Sequence, residues 1–353
     1  MTEIGPWRSA AGALPVWFTV ASYRHVPTIL LPNSISLHPT LPQQWRTVTY
    51  DVADRLPDEA AEAVAMVVWG TSQAVLDEAT ALPALTWVAD LAAGTDRTVA
   101  AGFDPRVQIT SGVGLHDATV TEHTLALVLA CVRRVPDLVR AQSTHRWATE
   151  LGGLQELHPT DRLRTLLGAR VLVWGFGSIG AHLAPVLAAL GAHVTGVARS
   201  ASTRGGFPVV TPEEALGMLG RTDVLIGLLP DTATTRHVLG ADVFAALPRR
   251  AVVVNVGRGS TLDADALLAA VRRGAVGAAA LDVVDPEPLP ADSPLWDEPR
   301  ILISPHAAGG RPAGADDLIA DNLARLVEGR PLRNLVRRST SGRGVGGAGT
   351  AGS

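Results

Sequence analysis

The chain has 353 residues, enough for two domains of ordinary size, and a hydrophobic content of 47% excludes a disordered chain. A formal net charge of -4 offers no general attraction to nucleic acid or to an anionic membrane. No apolar run approaches the roughly 20 uncharged residues that a bilayer requires, and one cysteine, Cys131, excludes an internal disulfide framework and fits a reducing compartment. Residues 10–23 are mildly apolar, but Pro15 interrupts them and no cleavage site follows, so they make a poor signal peptide. The expectation is a cytoplasmic protein with no nucleic-acid partner, no membrane partner and no metal.

About 25 residues at the start read as an irregular arm. Short apolar runs then follow at 28–31, 47–50, 65–69, 86–89 and 107–110, with a helical segment around 73–81. Their length and bounding turn residues favour strands, and strands alternating with helices imply a parallel sheet. Residues 122–141 read as one long helix with Leu125, Leu129, Val132 and Pro136 on one face, which Pro136 should kink or end midway. A looser stretch at 147–159 carries Gly152-Gly153 and leads into a second alternating block.

That block has strands at 171–174, 193–198, 224–229, 252–256, 276–283 and 301–304. Its helices fall at 179–190, 212–219, 241–246 and 263–273. Residues 171–304 therefore form one doubly wound unit of about six or seven strands. A last helix at 316–328 follows, and the tail from 337 to 353, rich in Gly, Ser and Thr, is expected to be disordered. The fold class is α/β, with two doubly wound parallel-sheet domains, the central one of the Rossmann dinucleotide-binding kind.

Gly175-Phe176-Gly177-Ser178-Ile179-Gly180 follows a strand and opens a helix. The first glycine permits a tight turn, the second lets backbone approach a pyrophosphate, and the third lets helix pack on strand. Unpaired amides at the helix start would then bind the anion. With this many glycines, chance alone supplies roughly 0.3 such matches in the chain, so the strand and helix around the motif carry the weight. Pro185 inside that helix should remove a hydrogen bond and bend it. About 20 residues on, an NAD site would show an acid for the ribose hydroxyls. Here the strand ends Val197-Ala198-Arg199-Ser200. Arg199, with Ser200, Ser202, Thr203 and Arg204 nearby, suits a 2′-phosphate, so the reading is NADP or NAD with NADP favoured.

Three later segments carry groups that hydride transfer to a 2-oxo acid needs, at successive strand ends on one sheet edge. Arg258, in Asn255-Val256-Gly257-Arg258-Gly259, can hold a carboxylate with two parallel hydrogen bonds. Glu287 lies in Asp285-Pro286-Glu287-Pro288 and His306 in Ser304-Pro305-His306-Ala307-Ala308-Gly309. A carboxylate on an imidazole orients the ring and raises its pKa, which makes it a proton donor near neutral pH.

In these motifs the chain resembles the D-2-isomer-specific 2-hydroxyacid dehydrogenase family. The resemblance runs from about Leu82 to Val336. It takes in Ala92-Ala93-Gly94-Thr95-Asp96, Thr121-Glu122-His123, the Gly175 loop, Leu229-Pro230-Asp231-Thr232, the Asn255 segment, Leu281-Asp282-Val283, Glu287-Pro288-Leu289 and Pro305-His306. It implies a discontinuous substrate domain, 1–113 with 306–336, around an NAD(P)-binding domain at 114–305. It further implies that Arg258 and the backbone of Ala93, Gly94 and Thr95 bind the substrate carboxylate. His306 would protonate the carbonyl oxygen, Glu287 would pair with His306, and Asp282 would hold the nicotinamide carboxamide. Leu229, Pro230, Val256, Gly257 and Ala308 join the cofactor set, and the helix at 122–141 would form a two-fold homodimer contact. The family's acid is missing at Ala198, Trp174 is large for its place before the glycine loop, and the first 80 residues match poorly. The implied activity is reduction of a small 2-oxo acid such as glyoxylate or hydroxypyruvate to a D-2-hydroxy acid. An alternative on the same fold is an NAD(P)-sensing, corepressor-like binding protein, which can retain the catalytic groups. The chain shows no basic patch that would serve that role.

Overall fold

The structure, a computed structural model, describes residues 26–337. The expected N-terminal arm and the tail beyond 337 lie outside the described residues. In chain order the elements begin with β1 (Thr28–Pro32), β2 (Arg46–Tyr50), β3 (Ala63–Val68), α1 (Gln73–Ala79), β4 (Trp87–Asp90), α2 (Asp96–Ala100) and β5 (Gln108–Thr110). Helices α3 (Asp117–Val132) and α4 (Val135–Ser143) follow, then β6 (Arg170–Trp174), α5 (Ser178–Ala189), β7 (His193–Val197), β8 (Ser202–Arg204), β9 (Phe207–Val210) and α6 (Pro212–Leu216). The last are β10 (Val224–Gly227), α7 (Ala241–Ala246), β11 (Val252–Asn255), α8 (Ala264–Arg272), β12 (Ala278–Leu281), β13 (Ile301–Ile303) and α9 (Ala315–Val327).

Among the described residues two compact units result, one from 26–89, 101–110 and 315–337, the other from 90–100 and 111–314. In the first unit the strand order is β2-β1-β3-β4-β5, with β1 parallel to β2 and β3, and β4 parallel to β5. Helix α9 belongs to this unit. Buried Asn322 secures it by accepting from the Arg333 amide at 2.8 Å.

The second unit holds an eight-stranded sheet ordered β13-β12-β11-β10-β6-β7-β9-β8. Every neighbouring pair is parallel except β8 with β9. The order reverses beside β6, so the crevice at a topological switch point opens where the glycine loop leaves that strand. Both sheet faces are covered, which is why the strands read as unbroken apolar runs. Val171 and Val173 of β6, with Val224 and Ile226 of β10, enter one core, while Leu172, Trp174 and Leu225 enter the other. Trp174 is thereby a core residue, 3% exposed, and its bulk faces away from the loop it precedes.

Two expectations are corrected. The helix expected at 122–141 starts earlier and is two helices, because Arg134 takes a left-handed conformation (φ 57°) and Pro136 sits in the first turn of α4. The sheet has eight strands because 202–210 form a β-hairpin. Gly205 and Gly206 (φ 57° and 85°) supply the positive φ angles that a two-residue hairpin turn needs. Helix α5 continues through Pro185.

Candidate active site

Most of the residues singled out by sequence follow strands at the carboxyl edge of the eight-stranded sheet, while Ala93, Gly94 and Thr95 follow β4 of the other sheet. At the β6–α5 turn the three glycines do three different things. Gly175 has φ 108°, and a Cβ there would lie 2.5 Å from the Leu228 carbonyl oxygen. Gly177 caps α5 and faces open space, with no atom within 4 Å of an added Cβ. Gly180 packs on the strand, its would-be Cβ 3.4 Å from Val173 Cγ1. The amides of Gly175 and Phe176 both donate to the Val197 carbonyl at 3.0 Å, which fixes the loop to β7. That leaves the first-turn amides of α5, from Ser178, Ile179 and Gly180, without an acceptor four residues back and directed at the open face. A cradle of this form fits the pyrophosphate of a dinucleotide.

The side chain of Phe176 is turned into the core. Its ring is 1% exposed and lies where Gly196 has no side chain, since a Cβ on Gly196 would be 2.2 Å from Phe176 Cγ. Its carbonyl accepts from Arg204 Nη1 at 2.6 Å. The hairpin of β8 and β9 therefore sets one guanidinium against the phosphate loop. Arg199 and Ser200 follow β7 and are exposed, and among the described residues Arg199 has no ion-pair partner. Ser178 Oγ donates to Asp117 Oδ1 at 2.9 Å, which ties the loop to the start of α3.

The Arg258 segment is built by backbone approaching backbone. A Cβ on Gly257 would meet Leu229 N at 2.7 Å, and one on Gly259 would meet Val284 O at 2.0 Å. Glycine at these positions lets the β10, β11 and β12 end loops touch. Val256 is buried, Leu229 half-buried and Pro230 exposed along this seam. The Arg258 carbonyl accepts from Asn255 Nδ2 (3.0 Å) and Thr261 Oγ1 (2.7 Å). Its guanidinium reaches residues 94–96. Nε donates to Asp96 Oδ2 at 3.2 Å and Nη2 to the Gly94 carbonyl at 3.4 Å. A Cβ on Gly94 would stand 2.0 Å from Nη2, so this glycine exists to admit the arginine. Ala93 and Thr95 flank it half-buried. Beneath this loop, Asp90 accepts from Thr98 Oγ1 (2.6 Å) and the Ala92 amide (2.9 Å). Burial, only partly offset by these bonds and by the Arg258 charge, lifts the Asp90 carboxyl to about 6.

Glu287 and His306 meet as expected, Oε2 lying 2.9 Å from Nδ1 with both side chains partly exposed. Glu287 is itself fixed, because Oε1 accepts from the Val284 amide at 3.1 Å. His306 holds φ 52°, and its amide donates to the carbonyls of Asp282 (2.8 Å) and Ser304 (3.1 Å). Asp282 lies under the same loop. Its side chain is fully buried, and its oxygens accept from Ser304 Oγ (2.5 Å), the Ala307 amide (2.8 Å) and the Ala308 amide (3.0 Å). It braces the loop that carries His306. Buried Ala308 belongs to the same brace.

Sequence reading gave no role to Asp90, Asp96, Thr98, Asp117, His123 and Ser304, which the structure places against the residues it singled out. Asp96, His123 and Ser304 stood inside recognised motifs, but only three-dimensional neighbours give them work. Asp90 and Asp117 carried no motif signal.

A doubly wound sheet in this order with a glycine loop at its switch point is a dinucleotide-binding fold, and an imidazole–carboxylate pair near an arginine suits an oxidoreductase. The family model for the NAD-binding domain of D-isomer specific 2-hydroxyacid dehydrogenases matches residues 125–308. The glyoxylate/hydroxypyruvate reductase A of Photorhabdus laumondii is 34% identical over 64% of this chain and 68% of its own length. The glyoxylate reductase of Aeropyrum pernix is 31% identical over 81% of this chain and 86% of its own. Among solved structures, a D-isomer specific 2-hydroxyacid dehydrogenase from Xanthobacter autotrophicus Py2, in complex with NADPH and MES, superposes with a TM-score of 0.73. It is 31% identical and covers 89% of this chain and 98% of its own. The chain belongs to the D-isomer specific 2-hydroxyacid dehydrogenase family. It is thus an NAD(P)-dependent oxidoreductase that moves a hydride between nicotinamide and a 2-hydroxy or 2-oxo acid.

Proposed function

We propose that the chain reduces small 2-oxo acids of the glyoxylate and hydroxypyruvate kind to D-2-hydroxy acids, with NADPH preferred. The observation that carries this reading is the His306–Glu287 pair at 2.9 Å, on the same sheet edge as Arg258. Arg258 binds the substrate carboxylate, because a guanidinium offers two parallel donors to it, and the residues 93–95 backbone lines the same spot. His306, oriented by Glu287 through Nδ1, gives a proton from Nε2 to the carbonyl oxygen. The bound nicotinamide supplies the hydride. The α5 first-turn amides and the glycine loop hold the pyrophosphate, and Val256, Gly257 and Leu229 line the seam beside it. Arg199 and Arg204 read the 2′-phosphate, where a carboxylate would instead have taken ribose hydroxyls.

The protein acts in this reading as a cytoplasmic homodimer. Val135, Leu138 and Val139 of α4, with Trp147, Leu154 and Leu157 beyond it, are exposed apolar side chains clustered along one stretch of chain, and a second copy would cover them. Among the described residues no helix is long and apolar enough to cross a membrane. The test of the activity is oxidation of NADPH and NADH by the pure protein against a panel of 2-oxo acids. Light scattering tests the assembly, the expected mass being about twice the 36.8 kDa of the chain.

A further inference from the structure

His306 is held in a conformation that a non-glycine residue seldom adopts, and such backbone persists only where neighbours over-determine it. The neighbours here centre on one buried carboxylate. Asp282 takes three hydrogen bonds from the loop that carries His306. An ionised carboxylate with a fully buried side chain needs a positive or donating partner. Among the described residues, His123 of α3 is the one basic group within ion-pair distance, its Nε2 lying 3.1 Å from Asp282 Oδ1. The same nitrogen is 3.0 Å from Ser304 Oγ, the hydroxyl that also donates to Asp282. A continuous chain of polar contacts thus runs from α3, through Asp282, into the loop that presents the imidazole.

We propose that His123 is a positioning residue for the proton donor. By holding the Asp282 carboxylate and Ser304 from the α3 side, it fixes the loop so that His306 keeps its left-handed backbone with Nδ1 on Glu287. His123 touches neither substrate nor nicotinamide in this account, which rests on His306 being the proton donor.

The test is a double-mutant cycle in the full chain. His123→Ala is expected to lower kcat about 10-fold, the scale of a slightly misplaced catalytic group, while KM for NADPH and for the oxo acid stays within about twofold. His123→Gln, whose side-chain amide restores a donor near the Nε2 position, is expected to recover most of that loss. In a His306→Ala background the His123→Ala change is expected to cost nothing further, because its effect passes through the missing imidazole. If His123→Ala does not fold, Ser304→Ala serves, with a smaller kcat loss that likewise vanishes in the His306→Ala background. Unchanged kcat in the folded variant, or an equal loss with and without His306, would overturn the role of His123. Should His306→Ala itself retain wild-type turnover, the proposed function and this inference fall together. If His306→Ala loses turnover and His123→Ala does not, the inference alone falls.

Discussion

The two halves of the same sheet edge solve different problems in different ways. Beyond β11, β12 and β13, the loops bearing Arg258, Glu287 and His306 are locked by glycines at van der Waals limits and by the buried Asp282 carboxylate. Beyond β7, the segment bearing Arg199 is exposed, and Arg204 is held by side-chain bonds to the Phe176 carbonyl and to Ser202 Oγ of its own hairpin. Chemistry at a carbonyl demands fixed atoms, so its half is built from backbone contacts that admit one arrangement. Recognition of a phosphate needs charge near the right place, which a few surface guanidiniums supply with latitude. Substitutions in the first half should therefore damage turnover, and those in the second should move cofactor choice.

The largest expected effect is at His306. Its replacement by alanine should lower kcat by at least about 100-fold, the scale of a lost general acid, with NADPH affinity measured by fluorescence titration nearly intact. Next comes Gly94→Ala. Its methyl would stand 2.0 Å from Arg258 Nη2, so the guanidinium must move. We expect kcat/KM for the oxo acid to fall roughly 10- to 100-fold, chiefly through KM. Retained kcat/KM would mean that Arg258 does not bind the substrate from its present position. On the other half, Arg199→Ala should weaken NADPH by about 10-fold and NADH hardly at all. Equal loss for both would remove Arg199 from the 2′-phosphate site.

The smallest expected effect concerns pH. Because burial lifts Asp90 to about 6, the folded state holds this proton more tightly than the unfolded chain does. The stabilisation is complete at low pH and is lost as pH rises from the ordinary carboxylate range through about 6. Denaturant titrations of the wild type and Asp90→Asn should therefore diverge by about 1 kcal/mol between pH 5 and pH 7, the wild type losing more.

How much of this was legible in the sequence follows the same contrast. Parallel strands buried on both faces are unbroken apolar runs, so β6, β10 and β11 were readable to within one or two residues. Arg258, Glu287 and His306 stood out because their residue types sit at strand ends in stiff, glycine- or proline-rich segments. The β8–β9 hairpin was not read, although Gly205-Gly206 is a two-residue turn signal, because its strands are three and four residues long. The break at Arg134 was expected at Pro136, since proline marks a helix boundary without saying on which side it falls. Asp282 and His123 could not be read at all as a pair. They are far apart in the chain, and only the sheet brings α3 over the end of β12.

The measurement that tests the central claim most directly is the initial rate of NADPH and NADH oxidation with glyoxylate and hydroxypyruvate, in wild type and His306→Ala side by side. The account predicts turnover that favours NADPH in the wild type and falls at least about 100-fold in the variant. Equal turnover by the two proteins, or none from wild type that demonstrably binds NADPH, would contradict it.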